Sequence, residues 1–416
     1  MPVRTNDPDV VVVGGGIAGA SIAGVLARGG VEVLLLERQH SYRDRVRGEY
    51  MATWGVLEAR ALGLEDVIRR THAADARYMV PYDELCVPSA AEEMKTDRSA
   101  VFPGVPGPLC ASHPGTCQAL AEDAVRSGAE LVCGAADVRV RTGRRPSVTF
   151  RQGIGSEREI RPRLVIGADG RASSVRRQSG ISLNRVPATH VIAGLLAEGA
   201  SRWPEDLSVI GVEGDLQFYV FPQGSGRVRL YTCHANEQAT RWAGRAGAQR
   251  FVQAFAGLRS IPESLGLGDV TPAGPCGTFS GEQTWCDEPY ADGVVLLGDA
   301  GGYDDPVDGQ GLSLALRDVR QLSELLLASA DWTVPALRHY GEQRAERLRR
   351  MRRVSRTFAA LMTTFTDAGR ARRSRYYAAS GTAQDRVRLA LGAIFLGPDR
   401  MPSEAFTDQL HQSLLV

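Results

Sequence analysis

The sequence predicts an α/β protein with an inserted antiparallel sheet and a helical C-terminal segment, and three observations predict it. Short β-branched runs alternate with apolar residues at helical spacing in the first and last parts of residues 1–330. Three of those runs end in glycine-containing turns, at Gly14–Gly19, Gly167–Gly170 and Gly298–Gly302. Between the second and third turns, residues from about 182 to 285 lose this rhythm and become β-rich.

The first element is Val10–Val13, a β-branched run that reads as a buried parallel strand. It leads into Gly14-Gly15-Gly16-Ile17-Ala18-Gly19, a G-x-G-x-x-G. Ala23, Leu26 and Gly30 follow at helical spacing, Val33 to Leu36 form a second strand, and Glu37 closes it 23 residues after Gly14. A glycine turn without a ligand is the competing reading, and the complete βαβ context speaks against it. Gly14 permits the tight turn, Gly16 lets the backbone approach a pyrophosphate, and Gly19 lets helix and strand pack closely. The helix N-terminus offers free amides and a partial positive charge to phosphates. Glu37 accepts hydrogen bonds from ribose hydroxyls and repels a 2′-phosphate, which suits the ADP half of FAD or NAD.

The second element, Leu164–Gly167, runs into Ala168-Asp169-Gly170-Arg171, with Ser173 and Ser174 placed to cap a helix. The third, Val294–Leu297, ends in Gly298-Asp299-Ala300-Gly301-Gly302. Pro306 and Gly309-Gln310-Gly311 follow, then a helix carrying Leu312, Leu316, Val319, Leu322 and Leu326. Asp299 at a strand end faces the crevice where open α/β sheets bind ligands.

In this order and spacing the three motifs resemble the single-chain FAD-dependent monooxygenases of the para-hydroxybenzoate hydroxylase type. The resemblance spans residues 10–330 and implies a Rossmann-type FAD-binding domain, here 1–75, 105–181 and 286–330. It implies a substrate-binding β-sheet domain at 76–104 and 182–285, and a C-terminal helical segment at 331–416. Gly14, Gly16, Ala18, Gly19, Glu37 and Arg38 match the ADP site, and Arg47 the phosphate side. Asp169 and Gly170 match a motif linked to FAD and the reducing nucleotide. Asp299, Pro306, Gly309, Gly311 and Leu312 match the flavin side. Departures occur at Gly301-Gly302, where the family often has Ala-His, at Ser313 in place of Asn, and at His113 in place of Arg. Asp305-Pro306 after Gly301-Gly302 is also similar to flavin halogenases and prenyl-chain reductases, although no W-x-W occurs.

The implied reaction uses NAD(P)H and O₂ to hydroxylate or epoxidise an electron-rich, aromatic or polyketide-like small molecule through a C4a-hydroperoxyflavin. The alternatives are an FAD-dependent reductase or dehydrogenase, a halogenase-like enzyme, or a two-component monooxygenase fed by a partner flavin reductase. The flavin carries the chemistry, so neither a metal nor a catalytic triad is expected. His234 is the one acid–base candidate, against the plainer reading of a structural strand histidine.

Leu216–Pro222 and Arg227–His234 flank Gln223-Gly224-Ser225-Gly226 and read as a hairpin. Alternation puts Gln217, Tyr219 and Phe221 on one face of their strand, and Arg229, Tyr231 and Cys233 on one face of theirs. Tyr219, Phe221, Arg229 and Tyr231 are the substrate-side candidates, against the reading of a plain aromatic core.

Residues 331–416 hold 15 Arg against 8 Asp or Glu, within a chain of net charge +1. Leu337, Tyr340, Leu348, Met351, Phe358, Leu361 and Phe365 suggest a helix packed on the core with a solvated Arg face. Membrane-surface association or docking of an acidic carrier protein are the sharper readings of the same charge. A composition of 43% hydrophobic and 23% charged residues over 416 positions fits two or three soluble domains, and the near-zero charge gives no reason for a nucleic-acid partner. The seven cysteines show no C-x-x-C, and residues 1–9 lack a leader's apolar core, so the cytoplasm is expected, without a transmembrane segment.

Overall fold

The strand Val10–Val13 is four valines, none more than 5% exposed, which is what a central strand covered on both faces requires. Around it a six-stranded sheet runs in the order Tyr290–Ala291, Val294–Leu296, Leu164–Gly167, Val10–Val13, Val33–Glu37, Glu130–Cys133. All neighbours are parallel except the first pair. The three motif strands are therefore adjacent, and their carboxyl ends share one edge. The computed structural model describes residues 7–46, 48–153 and 155–416. Arg47 and most of the N-terminal stretch read for a leader lie outside the described residues.

The Ile17–Arg28 helix packs against the sheet, the His113–Arg126 helix and the Gly311–Ala328 helix. A Cβ at Gly19 would lie 1.8 Å from the Gly14 carbonyl oxygen, so only glycine lets this helix sit so close to the turn.

The second sheet has eight strands, with His190–Glu198, Arg227–Ala235, Leu216–Pro222, Leu207–Glu213 and Tyr78–Pro81 in consecutive order. The hairpin forms where the sequence places it, closed by Gln223 N donating to Arg227 O at 2.9 Å. One pairing departs from the antiparallel expectation: Leu207–Ile210 runs parallel to Tyr78–Pro81, a pairing reached over the long intervening stretch 82–206. One face of this sheet, with Phe218, Val220 and Leu230, is buried under the Gly247–Ala256 helix and its Phe251 and Phe255. The other face turns toward the first sheet and the C-terminal helices.

Those helices are Val334–Met362, Asp367–Tyr377 and Gly381–Leu391. The expected solvated Arg face is corrected in part. Arg344 and Arg347 are 2% and 1% exposed, and Arg352 stacks on the Trp285 ring at 3.9 Å. Arg349, half exposed, keeps the solvated role. No helix among the described residues is long and apolar enough to cross a membrane.

Candidate active site

One continuous cavity of about 1560 Å³ runs from the first glycine turn to the face of the second sheet that turns toward the C-terminal helices. Gly14, Gly16, Ala18, Glu37, Arg38 and His113 line its outer part, as do Asp169, Gly170 and Asp299. Pro306, Gly309, Gly311 and Leu312 line its middle. The structure thus gathers these sequence candidates around one space. Gly19 lies behind the wall, where it serves packing.

Local chemistry fixes the wall. Glu37, 8% exposed, accepts from Gly15 N at 2.7 Å and Gln39 N at 2.8 Å, which orients its carboxylate into the cavity. Asp169 accepts from Ser174 N at 2.6 Å and Val175 N at 3.1 Å, capping the Ser174–Gln178 turn and holding Gly170 at the wall. Arg171, which no local spacing marks out, reaches Asp299 at 3.4 Å and stacks on Tyr303 at 4.1 Å, tying the second motif to the third.

The third motif is held from behind. Arg344 donates to the carbonyls of Gly298, Gly301 and Gly302 at 2.8, 2.8 and 3.0 Å. Its Nε donates to Asp318 at 2.7 Å, and Arg347 takes the other Asp318 oxygen at 2.6 Å. Gly298 N donates to the same Asp318. A dense charge cluster therefore shapes the Gly-Asp loop.

A dinucleotide fits this cradle. A Cβ at Gly16 or Gly311 would meet nothing within 4 Å, so both helix mouths stand open. Each opens a helix whose first-turn amides lack intrahelical acceptors, as anionic or carbonyl-bearing groups require.

The inner chamber is apolar and aromatic. The register Gln217↔Cys233, Tyr219↔Tyr231, Phe221↔Arg229 places both sequence faces on one side of the sheet. Tyr219, Phe221 and Tyr231 line the chamber, and Phe221 packs on Tyr50 with ring centroids 4.8 Å apart. Arg229 lies behind them, 1% exposed. It pairs with Asp44 at 2.8 Å and with Glu49, which also accepts from Tyr231 at 2.9 Å. Burial pushes the Glu49 carboxyl up to about 7 against the pull of Arg229. His234 points to the opposite face of the sheet, edge-on to Trp242 at 6.1 Å, and burial pushes it down to about 4. The structure does not bring His234 to the cavity.

Three buried carboxylates sit beside the Pro306–Gly311 loop: Asp304, Asp305 and Asp308. Ser355 Oγ lies 2.8 Å from Asp304, 2.7 Å from Asp308 and 3.0 Å from Met351 O. One hydroxyl proton cannot serve three acceptors, so the carboxyl pair must supply a proton of its own. Burial raises both Asp304 and Asp308; the Asp305 carboxylate raises Asp304 further, and Asp304 raises Asp308. Sequence spacing shows the three aspartates but not the serine that joins two of them, 47 residues further on.

Residues 7–355 match the family model described as FAD binding domain. The chain belongs to that family. FAD is its cofactor, and the relatives it matches include proteins named as monooxygenases. This FAD-binding chain is 29% identical over 334 residues to the rifampicin monooxygenase of Streptomyces venezuelae, covering 79% of this chain and 65% of that protein. It therefore spans less than two thirds of that relative's length. It is 27% identical over 375 residues to 3-amino-4-hydroxybenzoate 2-monooxygenase PtnB3 of Streptomyces platensis, covering 85% and 88%. The crystal structure of p-nitrophenol 4-monooxygenase PnpA from Pseudomonas putida superposes with a TM-score of 0.74 over 96% of this chain and all of the other. At 19% identity that likeness shows the fold.

Proposed function

We propose that this protein is an FAD-dependent monooxygenase that uses NAD(P)H and O₂ to hydroxylate or epoxidise an electron-rich aromatic or polyketide-like small molecule. The observation that carries the reading is the continuity of the cavity, which joins a dinucleotide cradle to an aromatic chamber. FAD, when bound, supplies the electron transfer and oxygen activation that side chains cannot. Glu37 and the amides after Gly16 hold its ADP half, and the Pro306–Gly311 loop receives the ring end. Phe221, Tyr231 and Ile210 then exclude water from the reacting centre and orient the substrate's face.

The sheet carrying 190–198 and 207–235, with 78–81 added at one side, supports the domain division expected from the sequence. Seven unpaired cysteines fit a reducing compartment, which we take to be the cytoplasm. The test is an anaerobic titration of the purified, FAD-loaded protein with NADH or NADPH, followed by oxygen. Bleaching of the flavin bands and substrate-stimulated nucleotide oxidation are expected. Bound flavin that neither nucleotide reduces would move the reading to supply of reduced flavin by a partner reductase.

A further inference from the structure

Five arginines face or underlie the second sheet and the cavity with almost no exposure, and four of them have a carboxylate partner. Arg229 pairs with Asp44 at 2.8 Å, Arg344 and Arg347 with Asp318 at 2.7 and 2.6 Å, and Arg373 with Asp83 at 2.9 Å. Arg98, 6% exposed, has no carboxylate within 4 Å among the described residues. Its guanidinium lies 4.1 Å over the Phe395 ring and donates to the Met79 thioether, a weak acceptor. Arg176 also lacks a carboxylate, but it does not line the cavity; Arg98 does.

A lone buried cation costs several kcal/mol by order of magnitude unless something compensates it. Desolvation accordingly lowers the Arg98 pKa, and the groups that oppose the shift are the phenols of Tyr50 and Tyr376. Both phenols line the same cavity, and neither hydroxyl has a hydrogen-bond partner among the described residues. Three separate elements thus aim one cation and two unused donors at one spot: the turn after Thr96–Asp97, the strand Tyr50–Met51 and the helix Asp367–Tyr377. Tyr50 also touches the flavin-side loop, since a Cβ at Gly309 would fall 2.8 Å from its ring. The spot therefore lies next to the reaction end of the chamber.

We propose that Arg98, flanked by Tyr50 and Tyr376, anchors an anionic oxygen of the substrate. The chamber then takes an aryl or fused-ring molecule that carries a carboxylate or an ionised phenol. This inference rests on the monooxygenase reading for the chemical step after binding, but not for binding itself. Arg98 positions the substrate; it transfers no proton.

The test measures equilibrium binding to the FAD-saturated protein by calorimetry, using 2-naphthoate, the ionised phenol 4-nitro-1-naphtholate and the neutral 2-naphthamide. Wild type is expected to bind at least one anion about ten- to a hundredfold tighter than the amide. Arg98→Met should erase that preference while leaving the amide's affinity unchanged, and Arg98→Lys should restore part of it. Which anion binds tighter separates carboxylate from phenolate recognition. Because Met removes an unpaired buried charge, the Tm of Arg98→Met should hold or rise. Equal affinities in wild type, a preference that survives in Arg98→Met, absence of anion binding, or a fall in Tm would each overturn the proposal. A protein that binds the anion but whose flavin NAD(P)H does not reduce keeps the anchor and loses the monooxygenase reading.

Discussion

Arg344 and Arg98 are both buried guanidinium groups on the wall of one cavity, and their surroundings are opposite. Arg344 meets one carboxylate and three loop carbonyls, whereas Arg98 meets a thioether and an aromatic face. A buried charge whose donors are all used is part of the scaffold. One that meets only a thioether and a ring face is held ready for a ligand, since no carboxylate among the described residues offsets its desolvation. The cavity therefore has a rigid end, where the protein satisfies itself, and a receptive end, where it does not.

The largest effect should come from breaking the rigid end. Arg344→Met leaves Asp318 short of a partner and frees the Gly-Asp loop, a loss of about 3–5 kcal/mol for a broken buried pair. The expected outcome is a large drop in Tm together with loss of bound flavin, read from thermal denaturation and the flavin-to-protein absorbance ratio. Lysine should not rescue it, because a point charge cannot reach three carbonyls and a carboxylate in one plane. Wild-type Tm and full flavin content in Arg344→Met would erase the contrast with Arg98.

Next in size is Glu37→Ala. The carboxylate orients toward the cradle through two backbone amides, so its loss removes a charge-assisted contact worth about 1.5–3 kcal/mol. FAD affinity should weaken about ten- to a hundredfold in a fluorescence titration of apoprotein, with little change in the Tm of the apoprotein. An affinity change below threefold would mean that the ADP half is held elsewhere.

The rigid end was readable in the sequence and the receptive end was not, for a physical reason. Gly14, Gly16, Glu37, Asp169 and Asp299 act through turn geometry and backbone amides, which local spacing records. Tyr219, Phe221 and Tyr231 were reachable through strand alternation. Arg98, Tyr50 and Tyr376 come from three distant elements, and only the tertiary fold brings them together. The same limit explains Arg229 and Arg344: a sequence shows an arginine in a strand or a basic helix, but not the carboxylate that will bury it. His234 fell on the wrong face by one residue, the period-2 consequence of sitting beside Cys233.

A subtler effect should separate Asp308 from its neighbours by pH. Its carboxyl is raised by burial and by Asp304, so the folded protein holds a proton that the unfolded chain has lost above about pH 4. The unfolded state then binds fewer protons, and stability falls as pH rises from about 4 toward the folded value. Asp308→Asn removes that dependence at nearly constant shape. The Tm of the variant should match wild type near pH 4 and exceed it at pH 8, by about 1 kcal/mol or more of stability. A wild-type Tm that rises from pH 5 to 8 relative to the variant would show that the pair is ionised in the fold.

The smallest effect should come from Arg349, on the same helix as Arg344 but facing out. It is half exposed and pairs only with Glu346, three residues before it, at 2.6 Å among the described residues. Such pairs contribute roughly 0–1 kcal/mol, and salt screens them. Arg349→Ala should therefore leave Tm, flavin content and naphthoate binding unchanged. Because Arg344 and Arg349 differ by little more than one helical turn, the pair isolates burial from basicity. If Arg349→Ala impaired turnover while sparing folding and small-molecule binding, the outer face of the helix would be a docking surface, and the acidic carrier protein would regain its claim on the basic tail.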